Sequence, residues 1–348
     1  MMGSNRQVWV ALAALAVTLG SIGTLPSRAA ETAAIQVTED DQAIQVVTPH
    51  LELTIKKEGY VSGIAGGSFV DRATGFRDLG FGLDIADFLL EPGSDEAYRD
   101  QLPAELRYDF NNLYHGKRAK RLVEGPQICT QAKRLSPKVV RGENFVAIGQ
   151  TFTYHLAAPE RQTGSQWTQW IVVPVDRRYV FTMDRVDCVN ESPALALRID
   201  MPGHIRHRDG DGFDLVYLSY RGFFPSALFC EDFPPDEKFD YVRGRDPLPD
   251  RFIRAYRPLD ASGRPGPWLA GMTLDPAVVS EAWCHQRGYV CMIEEIGGRS
   301  VAPGDSFSAA FIVGWFDNVG QMLQVYDTYH GARAIEVDET ARTWRLIP

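Results

Sequence analysis

Short runs of alternating apolar and polar residues, each closed by turn chemistry, recur along almost the whole chain, and this pattern constrains the fold more than any other feature. Ala43–Val47, Leu51–Ile55, Asn144–His155, Trp167–Val175 and Tyr179–Val189 are rich in Val, Ile, Thr and aromatic residues, which suit a pleated, half-buried surface. Leu195–Met201, Phe213–Tyr220, Phe252–Tyr256, Trp268–Leu274, Tyr289–Ile296 and Phe307–Trp315 continue the series. Lys57-Glu58-Gly59, Asp71–Gly75, Asp209–Gly212 and Pro303-Gly304-Asp305 supply the turns between them. Helical periodicity is confined to Leu83–Leu90 and Gly320–Tyr329. No fixed-period repeat is visible, which argues against a propeller or solenoid. The expectation is an all-β protein, a large antiparallel β-sandwich with a few short helices.

The N-terminus reads as an export signal. Arg6 precedes the apolar run Val8–Leu19, which is too short to span a bilayer comfortably, and Ser27 and Ala29 form a small-x-small cleavage site. Residues 1–30 are therefore expected to be a signal peptide and residues 31–348 a single domain, secreted or periplasmic, with no membrane contact in the mature form. Losing residues 1–29 removes Arg6 and Arg28 and takes the net charge from −9 to −11. So acidic a body argues against nucleic acid as a partner. The five cysteines show no metal-ligand spacing; Cys284 and Cys291 are placed either for a hairpin disulfide or as buried thiols. Phe229–Leu248, rich in Pro, Asp and Arg, reads as a long surface excursion.

The stretch Tyr179–Val186, followed by Asn190-Glu191-Ser192-Pro193 and Pro202-Gly203-His204, resembles the middle of a galactose-mutarotase-like β-supersandwich, and Phe69–Gly75 resembles a hairpin near its N-terminus. That superfamily contains sugar epimerases, domains of glycoside hydrolases and polysaccharide lyases. The resemblance implies the supersandwich fold, a carbohydrate ligand and a histidine at the position of His204, and leaves the reaction open.

Several residue groups carry candidate chemistry. Tyr114-His115-Gly116-Lys117-Arg118 begins a cationic stretch that runs to Arg121 in an otherwise acidic chain. Removing the C5 proton of a uronate needs a base such as His or Tyr, and a cation to neutralise the carboxylate. Tyr114, His115, His204 and Tyr220 are candidates for acid or base. Lys117, Arg118 and Arg221 are candidates for the neutralising cation, with His207 beside His204. Trp167 and Gln169 offer a stacking face and a hydroxyl-binding amide. Glu294 and Glu295 lie in an apolar strand, so one of them must face inward as a paired or functional carboxylate. Asp209, Asp211 and Asp214 form only a fragment of a calcium loop, so no metal or cofactor is expected beyond a weakly supported structural divalent cation such as calcium. The chain lacks a G-x-S-x-G elbow, a P-loop and a G-x-G-x-x-G motif, which argues against serine-hydrolase and nucleotide chemistry. The leading expectation is a polysaccharide lyase that cleaves an anionic, uronate-containing poly- or oligosaccharide by β-elimination. A sugar epimerase, a glycoside hydrolase and a non-catalytic glycan-binding protein are the alternatives.

Overall fold

The computed structural model describes residues 35–348. The expected signal peptide lies outside the described residues. Two large antiparallel sheets stack face to face. The first has, in spatial order, strands Leu156–Ala157, Lys120–Gly125, Gly80–Pro92, Ser192–Ile205, Val290–Val301, Val279–Gln286 and Tyr241–Val242, with Ile64–Ala65 paired alongside Gly80–Pro92. The second runs Gly222–Pro225, Phe213–Leu218, Phe252–Pro258, Trp268–Thr273, Ser306–Phe316, Tyr179–Asp187, Gln166–Pro174, Phe145–Thr153 and Lys138–Arg141. The all-β, sandwich-like expectation holds.

The core forms where the two inner faces meet. Leu197, Ile199, Met201, Met292 and Ile296 from the first sheet join Ile171, Val180, Phe311, Val313 and Trp315 from the second in one buried apolar cluster. Alternation explains this directly: residues two apart on each strand share a face, and the apolar set is the one facing the partner sheet. A smaller sheet built from Gln36–Glu39, Ala43–Val47, Leu51–Lys56 and Val70–Asp71 adds Ile44, Val46, Leu51, Leu53 and Ile55 to the same cluster. The second sheet's other face is covered by helix Val319–Tyr329, capped by the Asn318 side chain, and by the hairpin Ala334–Asp338/Thr343–Ile347.

The helix expected at Leu83–Leu90 is instead the middle of strand Gly80–Pro92. Its residues are buried on both faces, so the period-2 signal of a half-exposed strand is lost and the apolar run mimics a helical one. The reason is the segment from Gly93 to Ala119, which crosses the outer face of the first sheet. Leu102, Leu106 and Phe110 from it pack against Phe88, Leu90 and Leu122 of the sheet. Phe229–Leu248 is also less exposed than its composition suggests, because Phe229, Phe239 and Tyr241 are buried. No helix among the described residues is long and apolar enough to cross a membrane.

Candidate active site

Beyond the strap formed by residues 93–119, the outer face of the first sheet turns polar. Strand Ser192–Ile205 sends Leu197, Ile199 and Met201 to the core, so alternation sends Arg198 and Asp200 to this outer face. His204 joins them through a bulge. Asp200 pairs with Ile293 and His204 with Cys291, so Met201, Pro202 and Gly203 stand opposite Met292 alone. The compression brings two side chains that a regular strand would hold about 13 Å apart into contact. His204 Nε2 lies 2.9 Å from Asp200 Oδ1. Glycine is required inside this bulge, because a Cβ on Gly203 would collide with the Gly82 carbonyl of the neighbouring strand.

Burial and neighbouring charge act on His204 and on Asp87 of the adjacent strand. Burial works against a charge on His204, but Asp200 and Cys291 outweigh it and hold the imidazole well above its ordinary pKa. Asp87, on the adjacent strand Gly80–Pro92, is pushed up to about 7 by burial and by the Asp200 charge, with Arg198 pulling the other way. One of its oxygens is buried with no hydrogen-bond partner. The face thus offers a charged imidazolium beside a carboxyl poised near neutrality. His204 is more accessible than Asp200, with 19% of its side chain exposed against 8%.

A second network anchors the strap. Arg198 donates to Glu295 Oε1 from Nε at 3.1 Å and from Nη2 at 2.8 Å, and its Nη1 lies 3.0 Å from His115 Nδ1. Its guanidinium sits between the rings of Trp283 and Phe110, 5.2 and 5.4 Å from their centres. Lys120 Nζ bridges Glu281 at 2.7 Å and Glu295 at 3.1 Å. Although burial opposes it, Lys120 and Arg198 hold the Glu295 carboxylate below its ordinary range. Two buried cations facing two buried carboxylates leave this network neutral, as burial of charge demands.

The structure brings Tyr114, His115, His204 and Glu295 to one face, sets Lys117 and Arg118 beside the Lys120–Glu281–Glu295 network, and turns the other expected residues elsewhere. His115 is not a base: burial and then Arg198 push its pKa down to about 2, and its Nδ1 lone pair already accepts from that guanidinium. Tyr114 is half-buried, with its ring 5.5 Å from that of His285. Glu294 points the other way, into the core, where it accepts from Thr273 Oγ1 at 2.6 Å. Trp167 is fully buried, donating to Asp184 at 2.6 Å, and cannot stack on a sugar. Gln169 is also fully buried, tied to Gly63, Asp84 and Asp184.

His207 is structural. Phe213 N donates to its Nδ1 at 3.2 Å, its Nε2 faces the Ser226 carbonyl, and it stacks on the Phe213 ring. Tyr220 donates to the Phe239 carbonyl, and Arg221 pairs with Asp246 at 2.8 Å; neither appears among the contacts of the His204 cluster. Arg118 donates to the Arg243 carbonyl. Lys117 is exposed, and only its backbone N–H reaches Glu281. Asp214, of the calcium-loop fragment, is engaged by Arg257. Among the described residues no group of three His, Cys, Asp or Glu side chains is set to hold a metal. Cys284 and Cys291 are free thiols, since alternation on their adjacent strands puts Cys284 in the main core and Cys291 on the outer face.

Further residues surround the His204 ring. Tyr289 lies 5.0 Å from the His204 ring and 5.0 Å from Phe81, which is 38% exposed. Arg206 covers Phe81 and Arg287 covers Tyr114, at 4.9 and 5.3 Å from the ring centres. Among the described residues, neither guanidinium is in an ion pair. His285 is buried and neutral, its pKa pushed down to about 3 by burial and then by His204. Arg206 was legible in outline, since alternation places it on the face of His204. Asp87 was hidden by the helical reading of its segment.

No family model matches the sequence, and no curated protein matches it. Solved structures do match by shape. A galactose mutarotase-like protein from Clostridium acetobutylicum is 10% identical, with a TM-score of 0.42 over 82% of this chain and 99% of that one. Galactose 1-epimerase from Lactobacillus acidophilus NCFM is 8% identical, with a TM-score of 0.39 over 82% and 99%. The chain spans 40% of the length of a third match, 4-alpha-glucanotransferase from Thermococcus litoralis, which is 8% identical with a TM-score of 0.39 over 82% of this chain. These values describe a weak likeness of fold and carry nothing about chemistry. In architecture, then, the chain resembles the galactose-mutarotase-like proteins.

Proposed function

We propose that the His204 face is the active site of a carbohydrate-active enzyme that moves protons on an anionic sugar. One observation carries this reading: His204, held charged by Asp200 and partly exposed, shares a face with Asp87, whose pKa is near neutrality. A group held protonated and a carboxyl that ionises near neutrality can serve as acid and base in one reaction. Arg206 and Arg287 add two cations without carboxylate partners among the described residues, suited to a substrate carboxylate. Tyr289 and Phe81 add aromatic surface for a pyranose face.

The leading reaction is β-elimination on a uronate-containing glycan. Asp87, in its ionised form, takes the C5 proton, the C4–oxygen bond breaks, and His204 protonates the departing oxygen, leaving a C4–C5 double bond. Arg206 or Arg287 neutralises the carboxylate charge that develops. Export, read from residues 1–30, fits a polymeric substrate outside the cell. A second reading is favoured by the imidazolium–carboxyl pairing itself: His204 protonates the ring oxygen while Asp87 accepts the proton of the anomeric hydroxyl, interconverting anomers. Incubation with a panel of uronate polymers and sugar acids separates them. Elimination gives ultraviolet-absorbing unsaturated products; anomer exchange gives accelerated mutarotation by NMR with no absorbance. Neither signal on any member of the panel overturns the enzymatic reading.

A further inference from the structure

Next to the His204 face lies a cavity of about 560 Å³, and Arg206 lines it as well as capping Phe81. Its other walls include Arg77, Asp211 and the glycines Gly66, Gly67 and Gly80. Gly80 packs against the His204 backbone. The link to the candidate site is Arg206, which lines the cavity and also covers Phe81, whose ring meets Tyr289 beside His204.

The chemistry of the lining selects a class of ligand. The volume falls within the range of small-molecule pockets, roughly 300–1,000 Å³. The glycines leave backbone and open space where side chains would otherwise fill. Asp260, also in the wall, has its carboxylate engaged by Ser262 and Arg264. Asp78 accepts from the backbone N–H groups of Gly67 and Phe69. The charged side chains left to face a ligand are Arg77, Arg206 and Asp211, two donors of positive charge and one carboxylate. That set suits a hydroxyl-rich, negatively charged unit.

We infer that this cavity binds the neighbouring unit of an anionic sugar chain, so that the substrate is an oligomer spanning His204 and the Arg77–Arg206 cavity. The inference rests on the proposed function, because it needs one sugar unit at the His204 face. Its test is calorimetric titration with uronate oligomers of one to four units, using galacturonate, guluronate and glucuronate series. Affinity for the wild type rises about tenfold between one and three units, the effect of one or two added charge-assisted hydrogen bonds. Arg77→Ala reduces that gain. Ala261→Trp, at an exposed turn position in the cavity wall, fills the space and abolishes the gain while leaving single-unit affinity unchanged. Circular dichroism and melting temperature verify that both variants are folded. Affinity independent of chain length overturns the second subsite and leaves the His204 site standing. Binding of no uronate in any series overturns both.

Discussion

Two buried polar regions lie back to back across the first sheet, and they behave differently. On the inner side, Glu294 is sealed in the core with its pKa pushed up to about 7, mainly by burial. Nearby, burial raises Asp84, and burial together with the Asp84 charge raises Asp184 well above its ordinary value. On the outer side, Asp200 and His204 form an ion pair, Asp87 is poised, and a mouth of Tyr289, Phe81, Arg206 and Arg287 opens to solvent. Both regions shift acid groups. Only the outer one combines a group held charged, a group near neutrality and access. Shifted carboxyls alone therefore do not mark a site in this fold.

The largest expected effect is on the outer face. His204→Gln and Asp200→Asn are each expected to lower turnover by about 10²–10⁴, the usual contribution of a positioned acid or base, measured on protein shown to be folded. Glu294→Gln, on the inner face, leaves turnover within about twofold, the distinction the two-region account requires. Steady-state assays on the responsive substrate measure both.

Arg198 tests the anchoring network. Arg198→Met leaves Glu295 buried with Lys120 as its remaining cation and frees His115 and the strap. Breaking a buried pair from one side typically costs about 3–5 kcal/mol, read by denaturant unfolding. A loss under about 1 kcal/mol would show that the strap is held by its apolar contacts alone.

The inner acids make a pH prediction with a definite sign. Glu294 folds with a pKa near 7 against an ordinary 4.5, so the native state keeps a proton that the unfolded chain has released. Stability therefore falls as pH rises from about 4.5 through 7 and then levels off, a loss on the order of 3 kcal/mol. Glu294→Gln removes the Glu294 share of this slope. Asp87→Asn flattens the same window and also removes activity, separating the two faces again. The smallest effect is at Trp167: Trp167→Phe deprives buried Asp184 of a donor and costs about 1–3 kcal/mol, with no change in sugar affinity.

The β-sandwich was legible because alternation and turn chemistry agree along most strands. His204 was singled out by the superfamily resemblance, and alternation along its strand puts Arg206 on the same face. The Asp200–His204 pair was not, because it depends on a bulge that no local pattern announces. Of Glu294 and Glu295, alternation told that they face opposite ways, but only the pairing with Arg198 and Lys120 shows that Glu295 faces outward and Glu294 into the core. Tyr220, Arg221 and His207 are near His204 in sequence, yet their side chains turn to Phe239, Asp246 and Phe213. Trp167 and Gln169 look like a sugar platform on a strand whose exposure is unknown; here that face is the core.

The most direct test of the acid–base account needs no substrate. Histidine-selective NMR titration, with His204 assigned by its loss in His204→Gln, reads its pKa in the folded protein. The structure predicts an imidazole that stays protonated well above pH 6.5, and a fall to or below 6.5 in Asp200→Asn, where burial is no longer opposed by that charge. A wild-type His204 that titrates at or below 6.5 and does not respond to Asp200→Asn would contradict the account.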